Sequence, residues 1–357
     1  MKRIALWVAL AGVVIVAGGW LATLSPDVDV WLYRQMAQRV LHAPPVLANP
    51  GELSVLLCGT GSPLPDRSRA GPCALIAAGG DYYLVDAGLD SARNLMLWQI
   101  PLDRIRGVFL THMHSDHIAE LGEIRLQTWV AGRNAPLKVY GPPGIETVVA
   151  GFNEAYALDS GYRTAHHGAA FLPPGAAALA AVPLPLGNAD ARVMMLAGGL
   201  KVTAIRVNHG PVKPAYGYRF DYNGRSVVIS GDTSPDENLA RAARGADVLV
   251  HEALSPELVA ILGHALQAAG RVRTAKIMHD IPGYHTSPVD AARIANEAHV
   301  RFLVYTHLLP VLPDAIAERA FLRGVSGVRP AGVTLGQDGL LVRLPPHSAE
   351  IEQSVVE

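Results

Sequence analysis

The chain has 357 residues, of which 50% are hydrophobic and 17% are charged, so it can bury the core of one large domain or two small ones. Its formal net charge of -1 argues against a dedicated nucleic-acid-binding protein, because such a protein needs a cationic surface to displace counterions. The 14 histidines exceed what packing or solubility requires, and they direct attention to metal-ligand spacing.

The N-terminus is a hydrophobic segment preceded by two basic residues. Lys2 and Arg3 come before an uncharged stretch at residues 4–24, which as a helix would span about 30 Å, the thickness of a bilayer core. This stretch is longer than a signal-peptide core and lacks a convincing cleavage site, so a membrane anchor over 1–24 is favoured over a cleaved signal. Because the basic residues should stay cytoplasmic, the rest of the chain is predicted to be periplasmic, either anchored to the inner membrane or secreted.

Alternating strand and helix patterns follow a connector. The connector, residues 25–50, includes a helical pattern at 28–41, and a single domain is expected from 51 to 345, with a tail at 346–357. Predicted strands cover 53–58, 73–77, 82–86, 107–110, 137–140, 201–207, 216–221, 225–229, 248–251, 302–306 and 340–344, and predicted helices cover 91–100 and 288–298. Strands that cluster early and later alternate with helices predict two sheets covered by helices. The stretch at 152–185, rich in Ala, Gly and Pro, is interpreted as an insertion over the site.

The two cysteines of the chain, Cys58 and Cys73, lie on either side of a loop between two predicted strands. They would be able to pair in an oxidising compartment, but two cysteines are weak evidence for a disulfide. Two buried thiols are therefore expected in preference to a disulfide.

The strongest signal for chemistry is the segment HMHSDH at 112–117, which follows a predicted apolar strand. In an extended backbone, side chains two residues apart point the same way, so His112 and His114 can hold one metal ion. Asp116 and His117, at the turn that leaves the strand, can face a second ion beside the first. Imidazole and carboxylate groups are suitable zinc ligands. Such a dense set is not explained by a chance cluster on a solvated loop.

Two metal sites need further ligands, and the sequence supplies three candidates downstream. His209, Asp232 and His307 each come after a predicted apolar strand, at the position where sheet proteins place their active sites. Any one of them alone would more often be a structural residue. Together with the HMHSDH segment, they form a consistent set at four strand ends.

The combined motifs resemble the metallo-β-lactamase superfamily, and within it the branch that contains ribonuclease Z and the alkyl/aryl sulfatases. The resemblance rests on the HxHxDH segment, His209, the Ser-Gly-Asp-Thr box around Asp232, and His307. Four shorter segments extend it: Gly59-Thr60-Gly61-Ser62, Asp86-Ala87-Gly88, Tyr140-Gly141-Pro142 and His251-Glu252-Ala253. The match extends over residues 53–345. It implies the α/β αββα sandwich of the superfamily, two packed mixed sheets with helices on the outer faces, here preceded by one N-terminal hydrophobic helix.

The resemblance also implies a dinuclear zinc centre. Seven ligands are implied: His112, His114 and His209 for the first zinc ion, Asp116, His117 and His307 for the second, and Asp232 as the bridge. A hydroxide shared by the two metals would attack the substrate while the metals stabilise the negative charge that develops. Asp116 would also orient or deprotonate the water. Iron or manganese would fit the same ligands.

Other histidines receive weaker assignments from the resemblance. His251 resembles the histidine that stabilises the leaving group in ribonuclease Z, and a supporting role behind the site is an equal alternative. His285 resembles a supporting histidine at a helix start, and Asp86 would be structural or support a ligand. His166 and His167 lie in the insertion, where a solvated position is favoured over contact with substrate.

Two departures from ribonuclease Z guide the expected function. His307 is followed by Leu308-Leu309-Pro310 in place of a polar, phosphate-binding run, and the basic arm that holds the tRNA elbow has no counterpart. Together with the predicted periplasmic localisation, these departures favour a hydrolase of small sulfate or phosphate esters, like an arylsulfatase or phosphodiesterase. A lactone or β-lactam hydrolase is the alternative, while tRNA 3′ processing and a non-catalytic metal-binding scaffold are disfavoured. The expected partners are a small-molecule ester and the membrane, not a nucleic acid, and a homodimer is left open.

Overall fold

The structure is a computed structural model that describes residues 12, 19–20, 25–41, 46–47 and 49–356. The chain divides into two units, Met1–Pro45 and Val46–Glu357. The second unit carries both sheets and all of the candidate site residues.

In the first unit, helix α1 covers Pro26–Leu41, where the sequence predicted a helix at 28–41. The predicted membrane anchor at 1–24 lies outside the described residues, apart from positions 12 and 19–20. Within the part of the chain that the structure describes, no helix combines the length and the apolar character needed to cross a bilayer.

The second unit contains two mixed β-sheets. Its strands are β1 (Leu53–Gly59), β2 (Cys73–Ala78), β3 (Asp81–Val85), β4 (Ile105–Phe109), β5 (Leu137–Gly141), β6 (Leu179–Pro183), β7 (Ala191–Met195), β8 (Lys201–His209), β9 (Val212–Tyr222), β10 (Arg225–Ile229), β11 (Val248–Leu254), β12 (Phe302–Leu309), β13 (Val333–Leu335), β14 (Leu340–Leu344) and β15 (Glu352–Val355). One sheet has the order β15-β14-β1-β2-β3-β4-β5-β6, and the other has the order β13-β12-β11-β10-β9-β8-β7. The predicted tail at 346–357 thus contributes an edge strand, β15.

The two sheets pack face to face through an apolar core. β1 and β2 are buried along their whole length, because one face of each meets the other sheet and the opposite face meets helices. Val55 and Ile76 face the second sheet and share a cluster with its Val202 and Phe220. Leu56, the next residue along β1, points the other way into a second cluster, as the alternation of a strand requires.

Helices cover the outer faces of both sheets. In the second unit they are α2 (Ser91–Leu97), α3 (Ser115–Ile118), α4 (Leu121–Val130), α5 (Ile145–Ala155), α6 (Ala157–His167), α7 (Glu237–Ala242), α8 (Pro256–Ala268), α9 (Val272–Asp280), α10 (Pro288–Glu297), α11 (Ala315–Phe321) and α12 (Val325–Val328). Ile124 of α4 and Val149 of α5 pack on the first sheet. Ala291 and Ala295 of α10 pack against Leu303 on the second sheet. This αββα sandwich confirms the expected fold.

The strand directions bring the candidate ligands to one edge of the sandwich. β3, β4 and β5 are parallel in the first sheet, and β10, β11 and β12 are parallel in the second. The carboxyl ends of parallel strands meet at the same edge, where α/β proteins bind ligands. The segment 112–117 follows β4, His209 ends β8, Asp232 follows β10, and His307 lies near the end of β12.

The expectation of two free thiols is wrong, because Cys58 and Cys73 form a disulfide. Cys58 lies near the end of β1 and Cys73 begins the neighbouring antiparallel strand β2, so their Cα atoms are 5.0 Å apart. That separation is within the normal range for a disulfide. The register between β1 and β2 brings the two cysteines together. The number of cysteines in the sequence does not reveal that register, so it did not predict the disulfide.

Two connections in the second unit differ greatly in length. The predicted insertion at 152–185 is partly helical, since it includes the end of α5 and all of α6 before it returns as β6. β8 and β9 are joined by only two residues, Gly210 and Pro211.

Candidate metal centre

His112 and His114 present ring nitrogens to a common point. His112 Nε2 lies 2.8 Å from His114 Nδ1, and the hydroxyl of Thr111 lies 3.1 Å from His112 Nδ1. His112 is buried, and burial together with the neighbouring His117 lowers its pKa well below the usual value. A neutral imidazole has a free lone pair, which is the form that binds a metal ion. The spacing of two residues thus produces the shared face that the sequence predicted.

His117 is oriented by a carboxylate from the preceding strand end. Its Nδ1–H donates to Asp86 Oδ2 over 2.8 Å. Asp86 also accepts hydrogen bonds of 2.8 and 2.9 Å from the backbone amide and the hydroxyl of Thr111. His117 Nε2 therefore points away from Asp86 and lies 3.4 Å from Asp116 Oδ2.

Asp232 occupies the centre of the cluster. Its Oδ2 atom lies within 4 Å of four histidine nitrogens: 3.9 Å from His112, 3.3 Å from His117, 3.8 Å from His209 and 3.3 Å from His307. Burial by itself raises the pKa of Asp232, but the facing histidines outweigh burial and hold the pKa well below the usual value. One carboxylate oxygen therefore lies where nitrogens of four histidines converge.

A glycine permits the sharp turn that carries Asp232 into the centre. Gly231 has φ +61°, and a Cβ atom there would come within 2.5 Å of the carbonyl oxygen of Tyr216. Any other residue would be strained by its backbone conformation and would collide with β9. The Gly-Asp pair of the sequence motif is thus a geometric requirement of this loop.

His209 and His307 complete the cluster from the second sheet. His209 Nδ1–H donates to the carbonyl oxygen of Tyr284 over 3.1 Å, which leaves Nε2 facing Asp232. His307 Nε2 lies 3.3 Å from Asp116 Oδ2. His307 also has a positive φ of 47°, at the position where β11 and β12 shift register.

The donor set fits a divalent metal centre. Among the described residues, five groups of side chains each bring their ligand atoms within 4.8 Å of one another. Three of them consist of the predicted ligands alone: His112 with His114 and His209, His112 with His117 and Asp232, and Asp116 with His117 and His307. The other two include His285. The Nε2 atoms of His117 and His209 are buried without a hydrogen-bond partner in the described part of the chain. Buried polar nitrogens without partners are rare unless they serve as ligands or in catalysis. The seven residues predicted from the sequence are thus brought together.

Glu252 and His285 form a hydrogen-bonded pair beside this cluster, although the sequence predicted only a supporting role for His285. Glu252 Oε1 accepts hydrogen bonds from His285 Nδ1 at 3.1 Å and from the amide of Thr286 at 2.9 Å. A ring nitrogen of His285 lies within 4.8 Å of ligand atoms on His209 and Asp232. The hydroxyl that caps α10 belongs to Ser287, two residues after His285.

His251 does not join the cluster. Along β11, Val250 faces the core between the sheets, while Leu249 and Ala253 face the outer helices. By this alternation His251 is on the outer side and Glu252 is on the side of the site. The Nδ1–H of His251 donates to the carbonyl oxygen of Glu252 over 2.7 Å, and its Nε2 has no partner among the described residues.

The two histidines of the insertion are not among these clustered residues. His166 and His167 end α6, and both are exposed. Neither belongs to a group of potential metal ligands among the described residues. Their exposure agrees with the expected solvated position.

Comparison with known proteins identifies the family. The sequence profile of the Metallo-beta-lactamase superfamily matches residues 67–307. Ribonuclease Z of Mycobacterium bovis (strain BCG / Pasteur 1173P2) is 38% identical over 263 residues, which are 73% of this chain and 87% of that protein. Ribonuclease Z of Mycobacterium sp. (strain KMS) is 36% identical over 297 residues, which are 82% of this chain and 97% of that protein. The crystal structure of human tRNase Z, short form, has the same fold, with a TM-score of 0.56, 20% identity and coverage of 81% of this chain and 98% of that chain.

These relatives correct three expectations from the sequence. The expected substrates, small sulfate or phosphate esters with lactones or β-lactams as the alternative, are wrong, because proteins 36% and 38% identical over most of the chain are named ribonuclease Z. The same name overturns the expected absence of a nucleic-acid partner. The expected localisation, at the inner membrane or in the periplasm, is likewise wrong in view of these relatives.

The resemblance drawn from the motifs is confirmed, and with it the expectation of a metal-dependent hydrolase. The profile covers more than half of the chain, and it ends at His307, the last of the residues that converge at the strand ends. Members of this superfamily bind divalent metal ions, usually zinc, which agrees with the clustered histidine and carboxylate ligands. The chain belongs to the metallo-β-lactamase superfamily, in its ribonuclease Z branch.

Proposed function

We propose that this protein is a metal-dependent ribonuclease that cleaves a phosphodiester bond at the 3′ side of precursor tRNA. The observation that carries the proposal is the identity of 36–38% to proteins named ribonuclease Z, over 87–97% of their length. The match to the superfamily profile, at residues 67–307, spans all seven of the clustered residues. The fold shared with human tRNase Z is consistent with the same activity.

Two divalent ions, with zinc as the preferred metal, would be held by the seven clustered residues. His112, His114 and His209 form the first ligand group, and Asp116, His117 and His307 form the second. The Oδ2 atom of Asp232 is assigned to both ions, because it lies within 4 Å of nitrogens from both groups. Nitrogen and oxygen ligands in these proportions suit zinc.

When bound, two such ions would act as Lewis acids on the phosphoryl group and make an attacking water more acidic. The protein contributes the orientation of the side chains around them. Asp86 fixes the ring of His117, and the carbonyl group of Tyr284 fixes the ring of His209. Such contacts set which ring nitrogen carries the proton and which carries the free lone pair.

Asp116 is assigned to accept a proton from the attacking water, besides its role as a ligand. Its side chain is 15% exposed, whereas the side chain of Asp232 is 4% exposed. Water therefore reaches Asp116 more readily than the central carboxylate. The contacts with His117 and His307 hold Asp116 in place on the open side of the centre.

His285 is assigned to donate a proton to the leaving oxygen, in place of His251, for which the resemblance left this role and a supporting role equally open. His285 is adjacent to the ligand cluster, and its Nδ1–H is fixed by Glu252. The second ring nitrogen is then free to carry the proton that the leaving group takes up. A positioned acid of this kind contributes roughly 100- to 10,000-fold to rate.

The test is cleavage of a 5′-labelled precursor tRNA that carries a 3′ trailer, with zinc-loaded protein. The proposal predicts one product, shortened at the junction between the acceptor stem and the trailer, and no cleavage of the mature tRNA. Asp232→Asn protein, purified in parallel, controls for contaminating ribonuclease, because it should lose metal and activity together. A zinc-replete wild-type protein that leaves the precursor intact would refute the proposed function.

A further inference from the structure

Tyr284 lies between two functional groups of the site, in the segment that leads from α9 to α10. Its ring centroid is 5.2 Å from the ring of His209, at an interplanar angle of 83°, and 5.1 Å from the ring of His285, at 44°. One neighbour is an assigned metal ligand and the other is the assigned proton donor. An aromatic ring therefore stands beside the place where the scissile phosphodiester must lie.

The position of Tyr284 is fixed by its backbone and by packing on one side. Its carbonyl oxygen accepts the hydrogen bond from His209. Its ring packs at the edge of a buried cluster that includes Leu254 and Leu309. A Cβ atom on Gly210 would come within 3.0 Å of the Tyr284 Cβ, so the glycine in the β8–β9 turn makes room for this side chain.

The other side of Tyr284 is available to a ligand. The side chain is only partly buried, and the preceding Gly283 is exposed. The described part of the chain offers no hydrogen-bond partner to the Tyr284 hydroxyl. The β8–β9 turn that faces Tyr284 has only two residues, Gly210 and Pro211. A tyrosine ring is a flat surface with few rotatable bonds, and every nucleobase has a face that stacks on such a surface.

We propose that Tyr284 is a substrate-binding residue, whose ring stacks on the base of a nucleotide that flanks the scissile phosphodiester bond. This proposal rests on the proposed function, because it takes RNA to be the substrate. The ring positions the phosphodiester between the metal ligands and His285. Its contribution is made in the bound substrate before the chemical step, so it should appear in KM more than in kcat.

The experiment compares wild-type protein, Tyr284→Leu and Tyr284→Phe on precursor tRNA, with zinc content measured for each. Two further precursors carry an abasic nucleotide immediately 5′ or immediately 3′ of the cleaved bond. Leucine keeps an apolar side chain but removes the stacking face, and phenylalanine restores it. We expect Tyr284→Leu to raise KM roughly tenfold on the ordinary precursor, with kcat and zinc content near wild type, and Tyr284→Phe to recover most of that loss.

The abasic precursors decide whether the loss comes from stacking. With one of them, wild-type KM should rise to the value of Tyr284→Leu, and the substitution should then have no further effect. Equal effects of Tyr284→Leu on all three precursors, or a loss of zinc, would overturn the stacking proposal while wild-type cleavage upholds the proposed function. Wild-type protein that cleaves none of the precursors would refute the proposed function, and the stacking proposal with it.

Discussion

A hydrogen bond of 2.8 Å joins Asp86 Oδ2 to His117 Nδ1 across 31 positions of the sequence. It fixes the proton on Nδ1 and leaves Nε2 facing Asp116 and Asp232, at 3.4 and 3.3 Å. The same carboxylate holds the amide of Thr111, so it ties the loop after β3 to the loop after β4. The orientation of one ligand and the path of the ligand-bearing loop therefore depend on a single side chain.

Asp86→Asn should weaken metal binding without unfolding the protein. The asparagine oxygen can still accept from the Thr111 amide, but the amide group would donate to His117 Nδ1 and move the ring proton to Nε2. That proton occupies the lone pair that a metal needs. We expect zinc affinity at the weaker site to fall roughly 10- to 100-fold, measured by competition with a chelator.

Asp81→Asn is the matched control for this substitution. Asp81 begins the strand that ends just before Asp86, and its carboxylate pairs with Arg106 at the surface over 2.7 Å. Loss of this pair should leave zinc affinity unchanged, because a surface ion pair contributes at most about 1 kcal/mol to stability. Equal zinc affinity in wild type and Asp86→Asn would show that the hydrogen bond does not set the tautomer of His117.

The Asp232→Asn variant should lose more zinc than a variant that lacks any ligand belonging to a single group. Asp232 Oδ2 is the one described carboxylate oxygen that approaches nitrogens from both ligand groups, whereas His114 belongs to one group. Elemental analysis after zinc-replete purification should give about two equivalents for wild type, about one for His114→Ala, and less than one for Asp232→Asn. Full occupancy in Asp232→Asn would remove its bridging role, and one equivalent in wild type would rule out a dinuclear centre.

The clustering of the seven candidate ligands was predictable from the sequence because its signal is local. The HMHSDH segment begins three residues after the end of β4, and the alternation of an extended backbone places His112 and His114 on one face. His209, Asp232 and His307 stand at the ends of buried strands, where the apolar run stops and a polar ligand type follows. Such patterns survive in a single sequence, since they do not depend on which strands become neighbours.

The pair of Glu252 and His285 was not predictable in the same way. Both His251 and Glu252 are polar and adjacent in β11, and choosing between them requires knowing which face of the strand meets the first sheet. His285 is held at the site by its hydrogen bond to Glu252, which is 33 positions earlier in the sequence. The helical hairpin of α8 and α9 separates the two residues along the chain. The Cys58–Cys73 disulfide depends in the same way on the register between strands, which composition does not reveal.

Asp247→Asn should destabilise the fold at neutral pH. Asp247 accepts paired hydrogen bonds of 3.1 Å from Arg225, whose guanidinium also donates to the carbonyl of Pro345 near the C-terminus. Arg225 is almost fully buried, so removal of its partner leaves a buried charge without compensation. We expect a loss of about 3 kcal/mol in the free energy of unfolding, measured by urea titration at pH 7.

The pH dependence of this loss follows from the pKa of Asp247. Burial by itself raises that pKa, but hydrogen bonds from Arg225, the Ser226 amide and Arg301 outweigh burial and lower it from 3.8. The carboxylate therefore stabilises the folded state fully above the unfolded value, and the contribution disappears as pH falls through the lower folded value. The difference between wild type and Asp247→Asn should persist at pH 5 and shrink below pH 4. Asp190→Asn, which removes an exposed pair with Arg241, should change stability by less than about 0.5 kcal/mol.

His285→Ala and His251→Ala should affect different properties of the enzyme. His285 lies beside the ligand cluster and is fixed by Glu252, so its removal takes away the donor for the leaving oxygen. We expect kcat to fall roughly 100-fold or more with zinc content close to wild type. His251 is fully buried on the outer side of β11, so its removal leaves a cavity and should lower the unfolding temperature while kcat changes little.

The comparison needs zinc content, kcat and the unfolding temperature for both variants, with Glu252→Gln as a third. Glutamine keeps the shape of Glu252 and can still accept from His285, but it removes the charge that favours the protonated ring. Its kcat should therefore lie between those of wild type and His285→Ala, with zinc retained. Zinc loss in His285→Ala as large as that in His114→Ala would make His285 a ligand. A large fall in kcat for His251→Ala, with the fold and the zinc intact, would return the proton-donor role to His251 and contradict the assignment made from the two faces of β11.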